Sequence, residues 1–120
     1  MLGIRDRQAF EVTEGQAKGL GLLNGHKYCL LVTFRRSGEG VPTPVWCGMH
    51  EGRVYARSEE RVGKVKRIRA NPRVLVAPCN SRGKPLGPAA EGRARILAAD
   101  EEPRAEQAIQ ANFGAGPQAL

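Results

Sequence analysis

Short apolar segments, rich in β-branched and aromatic residues and bounded by turn residues, recur along most of the chain. Such segments are typical of strands joined by tight turns. They predict five or six strands, the clearest at residues 27–36, 41–50, 53–57, 73–80 and 90–99. Hairpin connections between consecutive strands favour an antiparallel sheet, which a chain of this length closes most economically as a small barrel or roll.

The second of these segments contains two prolines, Pro42 and Pro44. Proline has no backbone N–H and cannot donate to a ladder of hydrogen bonds. The segment therefore predicts a strand that begins irregularly or lies at an edge of the sheet.

One segment between the third and fourth strands has a helical period. Val62, Val65 and Ile68 recur at every third position of residues 62–70, with cationic residues between them. This spacing predicts a short helix with one apolar side, and the following Asn-Pro pair predicts its end.

The two ends of the chain carry weaker signals. Residues 5–25 are compatible with a short helix, but four glycines weaken a long one. After the last strand, Asp100 predicts an N-cap for a final helix, with Pro103 in its first turn and Gly114 just past its end.

Length and composition indicate one soluble domain over residues 1–120, with residues 1–20 and 115–120 expected to be less ordered. Hydrophobic residues make up 41% and charged residues 26% of the chain, which suits a modest core. No apolar run approaches the ~20 residues of a membrane span. The N-terminal residues lack the apolar segment of a secretion signal, so a cytoplasmic location is expected.

The net charge of +7 is concentrated in residues 61–73, "RVGKVKRIRANPR", which contain six cationic residues and no acidic one. The remainder of the chain is nearly neutral. Nucleic-acid-binding proteins usually spread their cations over a wide surface. The local excess therefore favours a smaller anionic ligand.

The sequence does not indicate a catalytic site built from protein side chains alone. Cys29, Cys47 and Cys79 form no CxxC pair and stand in apolar segments, which predicts buried thiols in a reducing compartment. His26 and His50 stand beside turn residues, and for His50 a solvated position is favoured over the role of general base. If the protein is an enzyme, a bound cofactor is expected to supply the chemistry.

The basic helix is a candidate phosphate site. Lys64 and Arg67 are three residues apart and share one side of the helix. Ser58 ends the preceding strand, and Gly63 permits close approach of the backbone to a ligand. A hydroxyl, a helix N-terminus and a lysine together suit a phosphate. A solvated cationic helix surface is an equally weighted alternative, and solvated surface is the interpretation for Arg69 and Arg73.

Trp46, the single tryptophan, is the second candidate feature. On general grounds it is an anchor in the core or at an interface. The functional alternative places it beside a flat heteroaromatic ligand, whose polar edge would meet backbone groups that the neighbouring prolines leave unpaired.

Together these features resemble the split β-barrels of the pyridoxamine 5'-phosphate oxidase class over about residues 20–114. Within that class the chain resembles most the flavin/deazaflavin oxidoreductases, known as F420-dependent enzymes. The motifs that carry the resemblance are Thr33 with the glycine-containing turn that follows, Thr43-Pro44-Val45-Trp46, Gly63-Lys64-Val65-Lys66-Arg67, Asn71-Pro72-Arg73-Val74, and Cys79 with Gly83 and Gly92.

The resemblance implies a mainly β, antiparallel split barrel that forms a homodimer, with the cofactor in a groove between the subunits. It implies F420 as the cofactor, with a phosphodiester and a polyglutamate tail that suit a cationic surface, and FMN as the alternative. The implied binding residues are Thr43, Pro44, Val45 and Trp46 along the ring, Ser58, Val62, Gly63 and Lys64 around the phosphate, and Lys66 or Arg67 nearby.

The implied function is an oxidoreductase that transfers a hydride between the deazaflavin and a small conjugated organic substrate. The alternatives are an FMN-binding protein of the pyridoxamine-phosphate-oxidase class and a homologue that binds the cofactor without turnover. A small barrel that binds nucleic acid is less favoured, because the chain has few aromatic residues for base stacking.

Overall fold

The computed structural model describes residues 7–15, 19–58 and 62–114, and five strands in this part form one antiparallel sheet in the order β3-β2-β1-β4-β5. The sheet curls into a half-barrel, so the predicted mainly β, antiparallel architecture of the split barrel is confirmed. The strands are β1 (Tyr28–Phe34), β2 (Gly40–His50), β3 (Arg53–Arg57), β4 (Arg73–Cys79) and β5 (Ala90–Arg93).

Two helices accompany the sheet. They are α1 (Val62–Ala70) and α2 (Glu102–Gly114), and short 3₁₀ segments occupy Arg7–Glu11, Gly21–Leu23 and Ala99–Glu101. In the described ranges no helix is long and apolar enough to cross a membrane. Of the ends expected to be less ordered, residues 1–6 and 115–120 lie outside the described residues.

The register of the strands divides their side chains between two faces of the sheet, which we call face A and face B. On face A, the segments around Ala9 and Ala89 cover an apolar cluster of strand residues. On face B, a second apolar cluster includes Leu23 of a 3₁₀ segment. The strand residues of the first cluster are Leu30, Val32, Phe34, Leu75, Ala77 and Cys79, and those of the second are Cys29, Val45, Cys47, Val76 and Ala90. The sheet therefore stands between two small cores.

Strand β2 lies between β3 and β1 and is not an edge strand, but its two prolines fall where it has a strand on one side only. The N–H of Cys47 donates to the carbonyl of Lys27 on the β1 side, at 3.0 Å. Alternate residues direct their backbone groups to opposite sides of a strand, so Pro42 and Pro44 direct theirs away from β1. Strand β3 pairs with β2 only over residues 46–50. Among the described residues, no strand pairs with the prolines on that side.

The last strand is shorter than predicted. The apolar composition of residues 90–99 suggested one continuous strand, whereas β5 ends at Arg93. The N–H of Ala94 still donates to the carbonyl of Pro72 at 2.8 Å, and the backbone of residues 95–98 then leaves the ladder.

The final helix also begins differently from the prediction that Asp100 is its cap. The carboxylate of Glu101 accepts the backbone N–H of Ala98 at 3.0 Å and is held by both terminal nitrogens of Arg95, at 2.8 and 2.7 Å. The Arg95 guanidinium, and next the Ala98 N–H, lower the pKa of Glu101 to about 2. Gly114 is the last residue of α2 and does not follow it.

Helix α2 packs directly on the backbone of β2, because Gly48 has no side chain. A Cβ atom at Gly48 would lie 2.3 Å from the carbonyl oxygen of Ala108. Farther along α2, the side-chain amide of Asn112 donates to the carbonyls of His26 and Cys47, at 2.6 and 2.8 Å. A close backbone contact and two hydrogen bonds therefore fix the helix on the sheet.

The three cysteines are free and buried, which confirms that part of the prediction. Burial raises the pKa of Cys79 to about 12. The thiol of Cys47 donates to the carbonyl of His26 at 3.5 Å. The neighbouring Cys47 thiol, and next burial, raise the pKa of Cys29, whereas the Cys29 thiol lowers the pKa of Cys47.

We expect all three thiols of the native protein to resist alkylation by iodoacetamide at mildly alkaline pH, because reagent access requires opening of the core. In guanidinium chloride, three alkyl groups per chain should be incorporated. Intact-mass spectrometry of both samples measures the difference. Rapid labelling of one thiol in the native protein would contradict the described packing.

Candidate functional site

Helix α1 covers a polar region of face B. In the part of the chain that the structure describes, the buried polar or charged side chains are Thr33 on β1, Thr43 on β2 and Lys64 on α1. Only 6% of Lys64 is exposed, and Ile68 of the same helix is also buried. Lysine is rarely buried this deeply without compensating partners. Its position therefore marks a site built for charge.

Arg67 folds back along α1 towards the first turn of the helix. Its Nε donates to the hydroxyl oxygen of Thr33 at 2.6 Å. A Cβ atom at Gly63 would lie 2.9 Å from Nη1 and 3.5 Å from Nη2 of this arginine. Gly63 therefore leaves the space that the guanidinium occupies.

Among the described residues, the start of α1 is cationic. Its first turn contains no acidic residue, and the N-terminus of a helix carries a partial positive charge. Lys64 and the guanidinium of Arg67 add positive charge to this part of the helix. Charge of this sign would suit a phosphate group. We call Thr33, Gly63, Lys64 and Arg67 the α1 site.

The predicted ring-binding residues of β2 do not share one face. The register places Thr43 and Val45 on face B, and Pro44 and Trp46 on face A. Val45 is fully buried in an apolar cluster. Pro44 is buried as well, so the four predicted residues do not form one exposed surface for a ring.

Trp46 is held as an anchor between two strands and a helix, in agreement with the interpretation favoured on general grounds. Its ring lies 6.5 Å from the ring of Tyr28, and the guanidinium carbon of Arg57 lies 5.2 Å from its centroid. The same guanidinium binds the carboxylate of Glu106 on α2 at 2.9 and 3.1 Å. The contact joins β2 and β3 to α2.

The other predicted phosphate-site residues differ in burial. Ser58 follows β3 and is half-buried. Val62 begins α1 with 73% of its surface exposed, and Lys66 is exposed on the outer side of the helix. Arg61, the first residue of the same basic segment, lies outside the described residues.

The sequence analysis gave Thr33 too small a role. It was noted only as part of a motif, although a threonine within an apolar strand is itself a signal. Arg73, interpreted as solvated surface, has a side chain that is 40% exposed; its guanidinium lies 4.6 Å from the centroid of Phe34 and its Nε donates to Glu91 at 3.0 Å. Arg69 is exposed, as predicted.

The comparison with protein families matches residues 16–119 to the family model described as pyridoxamine 5'-phosphate oxidase. Neither the comparison with curated proteins nor that with solved structures found a match. The matched segment contains the whole sheet, both helices and the α1 site. The family binds flavin-type cofactors, and its members are typically oxidoreductases. The chain therefore belongs to the pyridoxamine 5'-phosphate oxidase-like family of flavin-binding proteins.

Proposed function

We propose that the protein is an oxidoreductase that binds F420, or alternatively FMN, and transfers a hydride between this cofactor and a small conjugated organic substrate. The observation that carries the proposal is the buried Lys64 beside Arg67 at the start of α1. In a family that binds flavin-type cofactors, such a site suits the phosphate that F420 and FMN both carry.

The chemistry of the donors fits a phosphate. An ammonium group offers three N–H donors, and a guanidinium offers a planar set of five. Arg67 uses its Nε for Thr33, while its Nη atoms lie against Gly63, close to the backbone at the start of α1. Charge-assisted hydrogen bonds from these groups would hold the phosphate of the cofactor on face B.

When bound, the cofactor supplies the hydride chemistry. The contribution of the chain is to hold the cofactor in one orientation, which lowers the barrier by positioning. Lys64 and Arg67 would fix the phosphate end of the cofactor. This division of roles does not require a general acid or base from the protein.

We further propose that the protein acts as a homodimer in which a second copy covers Val62. This large apolar residue is 73% exposed and immediately precedes Gly63 of the α1 site. Phe10 and Leu86 are also exposed. Light scattering during gel filtration should give a mass of twice 13.0 kDa; a single-chain mass would contradict this proposal.

Titration of the purified protein with matched pairs of ligands tests the proposed function. One pair is FMN and riboflavin, and the other is F420 and its fragment without the phosphate and tail. We expect the phosphate-bearing member of at least one pair to bind about ten- to a hundredfold more tightly, because it alone reaches the charged site. Ligand fluorescence and quenching of Trp46 report binding.

Three results separate the possibilities. Failure of both F420 and FMN to bind at micromolar concentration would refute the proposal. Equal affinity for the members of each pair would refute the phosphate role of the α1 site. Binding of F420 without oxidation of its reduced form by conjugated acceptors would indicate a cofactor-binding protein without turnover.

A further inference from the structure

The hydroxyl of Thr33 is in an unusual position. The residue is 0% exposed and lies in β1, between the apolar residues Val32 and Phe34. A buried hydroxyl is unfavourable unless it is hydrogen-bonded. Here its oxygen accepts the Nε–H of Arg67 at 2.6 Å, across 34 residues of sequence.

This bond and one steric contact together set the plane of the guanidinium. Thr33 holds the Nε side of the group, while Nη1 passes close to Gly63, where a Cβ atom would lie only 2.9 Å from it. The hydrogen bond at Nε and the backbone near Nη1 together restrict the rotation of the guanidinium. The Arg67 side chain is therefore ordered by the sheet beneath it.

Such ordering matters for binding. A free arginine side chain samples many rotamers. A side chain that is already fixed in the unbound protein does not lose that freedom when a ligand arrives, so affinity rises without any new contact.

We infer that Thr33 is a positioning residue: its hydroxyl orients the Arg67 guanidinium towards a phosphate at the start of α1. Thr33 itself touches no phosphate in this arrangement. The inference rests on the proposed function, because it assigns Thr33 a role in cofactor binding. The alternative is a purely structural role, in which the bond merely attaches α1 to β1.

Substitution of Thr33 by valine separates the two roles, because valine keeps the shape of the side chain and removes the hydroxyl. In Thr33→Val we expect the affinity for FMN to fall about five- to thirtyfold, in line with one lost hydrogen bond to a charged group. The affinity for riboflavin should change less than about twofold, because riboflavin has no phosphate. Thr33→Ser keeps the hydroxyl and should retain the affinity for FMN. If Thr33→Val fails to fold, Thr33→Ala takes its place.

A double-mutant cycle with Arg67→Ala tests whether Thr33 acts through Arg67. In the Arg67→Ala background, Thr33→Val should weaken FMN binding no further, because no guanidinium remains to be positioned. Additive losses, or equal losses for FMN and riboflavin, would overturn the inference while leaving the proposed function intact. Failure of the unmodified protein to bind either FMN or F420 would instead refute the proposed function.

Discussion

Replacement of Lys64 by methionine is expected to weaken the binding of FMN or F420 about ten- to a hundredfold. The lost contact is a charge-assisted hydrogen bond, worth about 1.5–3 kcal/mol, and each 1.4 kcal/mol is roughly tenfold in affinity. Methionine retains most of the apolar stem that packs beneath α1. The protein should therefore fold, and the affinity for riboflavin should stay within about twofold of the original.

Arg69→Met provides the matched control for this experiment. Arg69 lies on the same helix, carries the same charge and is exposed. Its loss should change the affinity for FMN only slightly, because salt screens exposed charges. Equal effects of Lys64→Met and Arg69→Met would show that the general charge of α1, and not the buried ammonium, attracts the cofactor.

Replacement of Gly48 by alanine is expected to destabilise the protein more than any other addition of a single methyl group to the sheet. The added Cβ would lie 2.3 Å from the Ala108 carbonyl, a backbone atom that cannot move unless α2 moves with it. Overpacking of this kind destabilises by about 1–3 kcal/mol, which corresponds to a fall in melting temperature of roughly 5–20 °C. Thermal unfolding followed by circular dichroism measures the change.

Gly21→Ala is the control for the Gly48 substitution. A Cβ at Gly21 meets no atom within 4 Å. The melting temperature of this variant should remain within a few degrees of the original. If Gly48→Ala were equally mild, the close contact between α2 and β2 would be refuted.

Features that depend on residues close together in the sequence were predicted well. The bounds of α1 follow from a three-residue apolar repeat and from the Asn71-Pro72 pair, and both signals are local. The end of β5 and the start of α2 depend instead on Ala94 bonding to Pro72 and on Arg95 holding Glu101. Sequence patterns do not report such pairings, so both boundaries were misplaced.

The same distinction applies to the candidate site. The juxtaposition of Gly63, Lys64 and Arg67 was predictable because all three lie within two turns of one helix. The contact between Arg67 and Thr33 was not, because it depends on where α1 settles on the sheet. That Thr43 and Trp46 face opposite sides was implied by the two-residue period of a strand.

The two prolines of β2 also bear on the solubility of the protein. An uncovered strand edge can pair with the same edge of another molecule and begin aggregation. Along residues 40–45 of β2 no described strand pairs on the side away from β1, and Pro42 and Pro44 lack two of the N–H donors that an added strand would need. The prolines therefore make this stretch a poor template for pairing with another chain.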